Sequence, residues 1–426
     1  MTDKHPPGFE DALNFPLADA LFGRRSRRFS LGASIPDGPL AFKSRREPMP
    51  LDELEQMLVL TAAAGNTGWN YLIMHNPLYA PHISNYAGAA GGRVFTSAAG
   101  FHTSEVFFTD DSGVYMMATR DAPALVQKSR DGSMDVDALL EAHRSRIHKI
   151  ADGRLYLPAE EPYTNGHNIW CVNRPGSTLM MPVADLAQHH LAGLCFFLQN
   201  GYCIYDDVNN ERIPGIERFR HLADVDNPLP LTFLEQFSLS ECSAEISMAC
   251  YAGLLMLQAM GLGGWMFDGL DPLSVIGASG NPDVPGLGFR YGTNENWSVP
   301  NPTGLPGVFE GFCPPHYPDM RSALDALVER KFGPGGPYHP DTPGPWKDSP
   351  TVRSSAKVFT DDFKDCIVLM AQYVYDRFGK FPGTVPSILL FIYLQAHHLD
   401  LEFYDHHFQP GAYLHTHAQH MERWHG

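Results

Sequence analysis

Residues 246–267 contain no charged side chain, and this stretch constrains the fold more than any other feature of the sequence. A helix of this length could cross a bilayer, or it could form the buried centre of a soluble protein. The flanking charges are acidic (Glu241, Glu245 and Asp268), so no nearby Lys or Arg would anchor the segment at a membrane surface. Four glycines and Gln258 also interrupt the apolar run. We therefore expect a buried core helix.

The charge and the cysteine content indicate which classes of binding partner are excluded and which cellular compartment is expected. The chain of 426 residues carries 48 acidic and 31 basic side chains, which gives a net charge of −17. Nucleic-acid-binding proteins usually present a basic face, and anionic membranes repel an acidic protein, so neither partner is expected. The seven cysteines form no CxxC pair and are odd in number, which favours a reducing compartment. We expect a cytoplasmic protein.

Hydrophobic spacing predicts several elements in the first part of the chain. A helix is expected over 51–64, because acidic residues follow Pro50 and apolar residues then recur at helical intervals. The apolar run 69–74 is typical of a buried strand. Residues 105–109 and 114–118 flank an Asp-Asp-Ser-Gly turn, which predicts a β-hairpin.

The same spacing predicts further elements up to residue 332. Helices are predicted over 136–150, 186–199, 240–262 and 323–332, and a strand over 201–206. The helix over 240–262 is apolar on all sides and should be central. Proline, glycine and asparagine dominate 282–318, which predicts a long ordered loop.

A proline- and glycine-rich stretch over 333–350 is typical of a linker. It divides the chain into two predicted units. Residues 1–335 would form the main domain. Residues 351–426 would form a separate helical module or a C-terminal wrap.

Three short motifs carry candidate chemistry. Residues 22–29 place four arginines within five positions, and the planar guanidinium fits phosphate oxygens in a bidentate manner. Residues 62–70 form a small-residue loop in which Asn66 offers a donor and an acceptor to a heterocycle edge. Residues 259–271 end the apolar helix in glycines and lead into a loop. Taken singly, they also fit a solvated basic turn, a helix-to-strand loop and a glycine-rich helix stop.

Together and in this order, the three motifs resemble those of the flavin-binding nitroreductase family. A fourth similarity is 305–318, which resembles the family's late strand and Gly-Tyr-Pro-like turn, with His316 in the Gly place. The resemblance covers roughly 20–110 and 240–330. It implies an α+β, three-layer fold with a mixed central sheet flanked by helices, followed here by the helical C-terminal module.

The resemblance implies FMN as cofactor. The positions that match the family's FMN-binding residues are Arg24, Arg25, Ser26, Arg28, Asn66, Asp268, Gly269, Arg330 and Lys331. The first three would hold the phosphate and ribityl chain, and the last two would also serve the phosphate. The matching position of Arg28 puts a cation near the N1–C2=O edge of the ring, where it would raise the flavin potential.

The other matched positions would face the ring itself. Asn66 would bind its pyrimidine side, and the backbone at Asp268 and Gly269 would approach N5. The implied reaction is hydride transfer through N5 to or from a small electron-poor or aromatic substrate, with NAD(P)H as an electron donor. The family's site usually lies at a homodimer interface. Residues 110–235 are longer than the family's usual middle and are predicted to be an insertion.

The last 30 residues contain eight of the 20 histidines. On a helix, His398, Glu402 and His406 would recur at i, i+4 and i+8 on one face, and imidazole with carboxylate suits Zn or Fe. A packed helix with hydrogen-bonded or exposed histidines, followed by a polar tail, also explains the pattern and is the more common arrangement. Two alternative functions therefore stay open: a metal-dependent enzyme built on this cluster, and a non-catalytic binding protein with the nitroreductase fold.

Overall fold

The computed structural model describes residues 5–69, 91–97, 101–120, 134–344, 346–356 and 358–426. Of the strand predicted over 69–74, all but the first residue lies outside the described residues. The described part combines helices with a multi-stranded sheet, as the predicted α+β class requires.

The helices of the described residues are α1 (Pro7–Leu13), α2 (Leu17–Gly23), α3 (Glu53–Ala64), α4 (Val136–Arg144), α5 (Leu186–Gln199), α6 (Leu231–Met260), α7 (Pro272–Ile276), α8 (Met320–Phe332), α9 (Ser349–Ser354), α10 (Asp361–Phe378), α11 (Leu401–His407) and α12 (His415–His425). The strands are β1 (Ser34–Ile35), β2 (Phe42–Lys43), β3 (Asn66–Trp69), β4 (Gly91–Arg93), β5 (Ser104–Thr109), β6 (Gly113–Met117), β7 (Ile147–Asp152), β8 (Thr178–Asp185), β9 (Ile204–Tyr205), β10 (Leu229–Pro230), β11 (Gly263–Phe267), β12 (Arg290–Gly292), β13 (Asn301–Leu305), β14 (Phe309–Glu310), β15 (Ile388–Leu389) and β16 (Tyr393–His397).

The central sheet has the strand order β11-β16-β8-β5-β6-β7, and β15 pairs with the end of β8. Every pairing in this sheet is antiparallel. The mixed sheet predicted from the sequence is therefore wrong for the described strands. The physical reason is β16, which enters between β11 and β8 and runs opposite to both.

Alternating side chains divide the core into two faces of this sheet. Val106 and Phe108 of β5 pack on one face with helices α3 and α6, whereas Phe107 packs on the other. The second face is covered by the short helix α7, by the loop residue Phe289 and by Phe309 of the small strand β14. Helices thus form a full layer on one face only, which corrects the predicted flanking by helices.

Helix α6 confirms the central helix predicted from the uncharged segment and begins nine residues before the predicted start. Among the described helices, α6 alone is long and apolar enough to cross a membrane. Half of its most apolar stretch is buried inside the protein. It packs against α3, α5, α12 and strands β8 and β11. These contacts make it a core helix in the structure.

Local sequence signals place several other elements correctly. Helix α3 begins with a capping box in which Asp52 accepts from the Glu55 N–H at 2.8 Å and Glu55 accepts from the Asp52 N–H at 2.7 Å. Helix α5 has the predicted bounds, and β5 with β6 forms the predicted hairpin. Helix α4 ends at Arg144 rather than 150, because the chain turns there into strand β7. The predicted loop 282–318 contains the small sheet β12-β13-β14.

Residues 110–235 are not an appendage to the sheet. Strand β8 from this segment lies between β16 and β5 and is fully part of the core. Helix α5 follows directly and packs with α8 and α10 in a second apolar cluster that includes Leu191, Phe312 and Met370. The segment therefore supplies a central strand of the sheet. That it is longer than the family's middle stays a prediction.

Residues 351–426 are likewise not a separate module. Strand β16 pairs with β11 through five residue pairs and with β8 through three. Helix α10 packs on α5 and α8, and α12 packs on α6 and α1. Helix α9 begins at the end of the predicted linker, and core structure follows it. The proline-rich composition of 333–350 therefore marks a connection within one packed unit.

We expect Leu394→Ala to destabilise the whole protein by about 2–5 kcal/mol, because the Leu394 side chain of β16 is fully buried against α6. Phe391→Ala is the matched control, since Phe391 lies two residues before β16 and is 50% exposed. Urea unfolding gives both free energies. Equal, small losses for the two variants would show that the C-terminal strand does not belong to the core.

Candidate functional site

The N-terminal arginine segment lies directly on the glycine-rich strand β11. The Gly264 N–H donates to the Arg27 carbonyl at 2.9 Å, and the two residues form an isolated antiparallel bridge. The Arg28 guanidinium lies 3.9 Å from the centre of the Trp265 ring. Two motifs that are more than 200 residues apart in the sequence therefore meet in space.

The arginines of this segment have different environments. Arg27 is buried and donates to Ala412 O at 2.9 Å and to Gln258 Oε1 at 2.7 Å; burial lowers its pKa to about 10. It thus acts as a structural cross-link. Arg25 is exposed and donates to the Phe22 and Arg24 carbonyls. Ser26 and Arg28 are also exposed, and Arg24 is half-buried.

A second cation reaches the same face from the middle of the chain. Burial raises the pKa of the Cys171 thiol to about 11, although the charges of Arg174 and Arg28 both act to lower it. Cys171 itself adjoins the face, because its carbonyl accepts from Gln395 Nε2 at 3.5 Å and Gln395 Oε1 accepts from Trp265 Nε1 at 3.3 Å. Trp265 stacks on Phe267 with ring centres 4.3 Å apart. The result is a face that combines two cations with aromatic rings, which suits a flat anionic ligand.

The loop after β11 is covered by residues of the middle segment. The Asn165 N–H donates to Gly269 O at 2.9 Å, and Asn168 Nδ2 donates to Asp268 O at 2.6 Å. Gly269 has φ +87°, and a Cβ there would lie 2.6 Å from Asn168 Nδ2. Glycine is needed at this position for both its backbone angle and the close approach. The middle segment thus restricts access to the Asp268–Gly269 loop.

The structure places the remaining predicted flavin positions on other elements, β3 and α8. Asn66 is buried beyond the end of α3, where its Oδ1 accepts from Gly68 N–H at 3.2 Å and its N–H donates to His143 Nε2 at 2.8 Å. Arg330 and Lys331 end helix α8, and the Arg330 guanidinium lies 4.4 Å from the Phe312 ring.

A second site is formed by Glu55, His398, His420 and His425, which we call the histidine–glutamate cluster. Their ligand-type atoms all lie within 4.8 Å of one another. Glu55 Oε2 is fixed by the Asp52 N–H of the capping box. Glu55 Oε1 faces the Nε2 atoms of His398, His420 and His425 at 3.3, 2.9 and 3.1 Å.

Each of the three imidazoles also has a partner at Nδ1. His398 Nδ1 lies 3.0 Å from Met49 O, and His420 Nδ1 lies 2.8 Å from Met260 O. Because a carbonyl oxygen only accepts, both Nδ1 atoms carry the proton. His425 Nδ1 lies 4.0 Å from an Asp52 carboxylate oxygen. The rings are therefore held with Nε2 toward Glu55.

The electrostatics of the cluster follow from burial and from these contacts. Burial opposes ionisation of Glu55, yet the adjacent His398 and His420 imidazoles hold its pKa well below its usual range. Burial likewise opposes the charged form of His398, and the Glu55 carboxylate outweighs it and raises the His398 pKa. The cluster thus favours a carboxylate with positive charge beside it.

The metal candidates predicted from the sequence are corrected by this geometry. Helix α11 begins at Leu401, so His398 precedes it and the i, i+4, i+8 helix face does not form. Glu402 accepts from exposed Arg45 Nε at 2.8 Å, and His406 lies against the Phe42 ring. Of the three, only His398 joins the cluster. Its other members have no local spacing signal, because Glu55 lies 343 residues before His398.

A cavity of about 260 Å³ opens beside the cluster. His398 and His420 form part of its wall, together with Arg46, Asp400 and Glu402. One side of the cluster is therefore within reach of a small molecule, while Glu55 on the other side is fully buried.

Comparisons with known proteins give one weak structural match and no match in sequence. No protein-family model matches the chain, and no curated protein matches it. Among solved structures, a crystal structure from Ralstonia eutropha provisionally described as a nitroreductase is 13% identical, with a TM-score of 0.29. The match covers 60% of this chain and 71% of that chain. A likeness of this size assigns neither a family nor an activity.

The stability of the cluster should depend on pH in a defined window. Because the Glu55 pKa is lowered, its contribution is present above its ordinary value of 4.5 and is lost as pH falls. Because the His398 pKa is raised, its contribution is present below its ordinary value of 6.5 and is lost as pH rises. In chelating buffer, the free energy of unfolding of the wild type should exceed that of Glu55→Gln by about 1–3 kcal/mol. The difference should be largest between these two pH values.

The control for this prediction is Glu53→Gln, because Glu53 lies in the same turn of α3 but its side chain is 71% exposed. The free energy of unfolding of Glu53→Gln should differ from that of the wild type by less than about 1 kcal/mol at every pH. Urea unfolding across the pH range measures all three proteins. Parallel stability curves for wild type and Glu55→Gln would contradict the charge pairing in the cluster.

Proposed function

We propose that this protein is an FMN-dependent oxidoreductase of the nitroreductase type. The observation that carries the proposal is the contact of the Arg24–Arg28 segment with strand β11, where Arg28 covers the Trp265 ring. The resemblance in sequence requires these two distant motifs to share one binding face. Their meeting, together with the charge of Arg174, supports an anionic aromatic ligand at this face.

The chain's own residues would divide the work of binding. Arg24, Arg25 and Ser26 would hold the phosphate at the exposed end of the segment. Arg28 would place its charge beside the ring and favour the reduced anion. Bound FMN would supply hydride transfer at N5, with NAD(P)H as donor and a small electron-poor or aromatic compound as the other substrate.

The middle segment would control which substrates reach the ring. Its residues Asn165 and Asn168 hold the Asp268–Gly269 loop by two hydrogen bonds, so a bulky substrate meets this cover first. Water exclusion by the same cover would protect a reduced ring. We further propose a homodimer in the cytoplasm, as the resemblance implies, with neither nucleic acid nor membrane as a partner.

The positions of Asn66, which is buried, and of Arg330 and Lys331, which are half-buried, set a limit on this assignment. Asn66 already forms hydrogen bonds with Gly68 and His143. Arg330 and Lys331 belong to the last turn of α8. We therefore base the proposal on the arginine face, and these three positions enter it only through the resemblance.

Titration of the purified protein with FMN, followed by flavin fluorescence, tests the proposal. The double variant Arg24→Ala with Arg28→Ala should bind FMN at least about tenfold more weakly, because two charge-assisted contacts are lost. Arg220→Ala is the control, since Arg220 forms an exposed ion pair with Asp226. Bound FMN should also be reduced by NAD(P)H, which separates an enzyme from a non-catalytic binder.

Two results would contradict the proposal. A protein that is colourless when purified and binds no added FMN would exclude the cofactor. FMN binding that is the same in wild type, the double variant and Arg220→Ala would exclude the arginine face as its site.

A further inference from the structure

We propose that the histidine–glutamate cluster binds one divalent first-row transition-metal ion through Glu55 Oε1 and the Nε2 atoms of His398, His420 and His425. This site is separate from the arginine face and does not depend on the proposed flavin. Three imidazoles with one carboxylate are a donor set that suits Zn²⁺, Fe²⁺ or Mn²⁺.

The spacing of the four atoms fits such an ion. Metal–nitrogen bonds of about 2.0–2.1 Å put neighbouring donor atoms about 2.9–3.4 Å apart in octahedral or tetrahedral geometry. The three Nε2 atoms lie 3.3, 2.9 and 3.1 Å from Glu55 Oε1. All four atoms lie within 4.8 Å of one another, so a bound ion would draw the imidazoles together by about 1.5 Å at most.

The direction of the imidazole protons also points to a cation. The Nδ1–H groups of His398 and His420 are bound to the carbonyls of Met49 and Met260, so both rings point Nε2 at Glu55 Oε1. The carboxylate in this position is paired either by protons on the Nε2 atoms or by a metal ion that replaces those protons. A carbonyl at the other ring nitrogen is the usual way in which proteins orient a metal-binding histidine.

His420 provides an independent observation. Its Nε2 is buried and lies 2.9 Å from Glu55 Oε1, but it forms no hydrogen bond of acceptable geometry within the described residues. A buried nitrogen with this placement is satisfied by a metal bond rather than by a proton. The alternative is a group of imidazolium ions crowded around one carboxylate.

The cavity beside the cluster makes this an accessible site. Asp400 borders the cavity, is 1% exposed, and has an Oδ2 atom with no hydrogen-bond partner among the described residues. This oxygen could accept a hydrogen bond from a water molecule on the metal. An ion that takes more than four ligands would keep an open position, as catalytic sites do and closed four-ligand structural sites do not.

The metal would also fasten the C-terminus. Glu55 lies in the first turn of α3, His398 follows β16, and the two remaining ligands lie on α12. One ion would thus join three segments that are far apart in the chain, and binding to the folded state alone raises its stability.

The test is metal analysis of the full chain purified without a histidine tag, followed by titration of the chelator-treated protein with Co²⁺. One metal per chain and Co²⁺ absorption bands of a nitrogen- and oxygen-bound ion are expected. His420→Ala and His425→Ala should weaken Co²⁺ binding by about 100-fold or more, because loss of even a ligand's hydrogen-bond partner costs about 10–100-fold.

His415→Ala is the matched control, since His415 lies on the same helix but is exposed. Circular dichroism confirms folding, and His425 is the safer variant because it lies next to the last residue and is partly exposed. Absence of metal and of Co²⁺ bands in wild type would overturn the proposal. So would equal Co²⁺ binding by all four proteins, which would indicate an adventitious ion only. FMN titration of the same samples separates this outcome from failure of the flavin assignment.

Discussion

The position of strand β16 between β11 and β8 is the constraint on which the rest of the structure depends. Without this strand, the edges of β11 and β8 that it pairs would lose their backbone partners, and the glycine-rich strand would lose its connection to the rest of the sheet. Leu394 and Ala396 from the same strand complete the apolar layer under α3 and α6. The sheet is therefore finished only when the last quarter of the chain arrives.

The same strand positions both candidate sites. Opposite β16, strand β11 receives the arginine segment at Gly264, and directly after β16 the chain reaches His398. The last turn of α6 joins the two regions, because Gln258 binds the Arg27 guanidinium and the Met260 carbonyl binds His420. A change at one site could therefore reach the other through this single helical turn.

The sequence predicted those parts of the fold that depend on local signals. Helix α3 has its capping box and helix α5 its apolar run, and the hairpin β5–β6 has its turn residues. Strand β16 was missed because its five residues adjoin several histidines and resemble the helix that follows. No local pattern specifies which strands it enters between, since pairing is decided by contacts across the whole chain.

The candidate sites likewise combine residues that the sequence indicated with residues that only the structure reveals. The arginine segment and β11 were identified through resemblance, and the structure brings them together; their role with FMN stays a prediction. The histidine-rich tail drew attention to His398, but it could not indicate Glu55, which is an ordinary capping residue in the sequence. The Oε1 atom of Glu55 comes to face His398, His420 and His425 only through tertiary packing.

Native-state hydrogen exchange along β16 tests the central claim most directly. A strand bonded on both sides should release its amides only on global unfolding, so we predict that Leu394–Ala396 exchange as slowly as the paired residues of β8. Fast exchange of β16 while β8 stays protected would contradict the account, because the C-terminal segment would then open independently of the core.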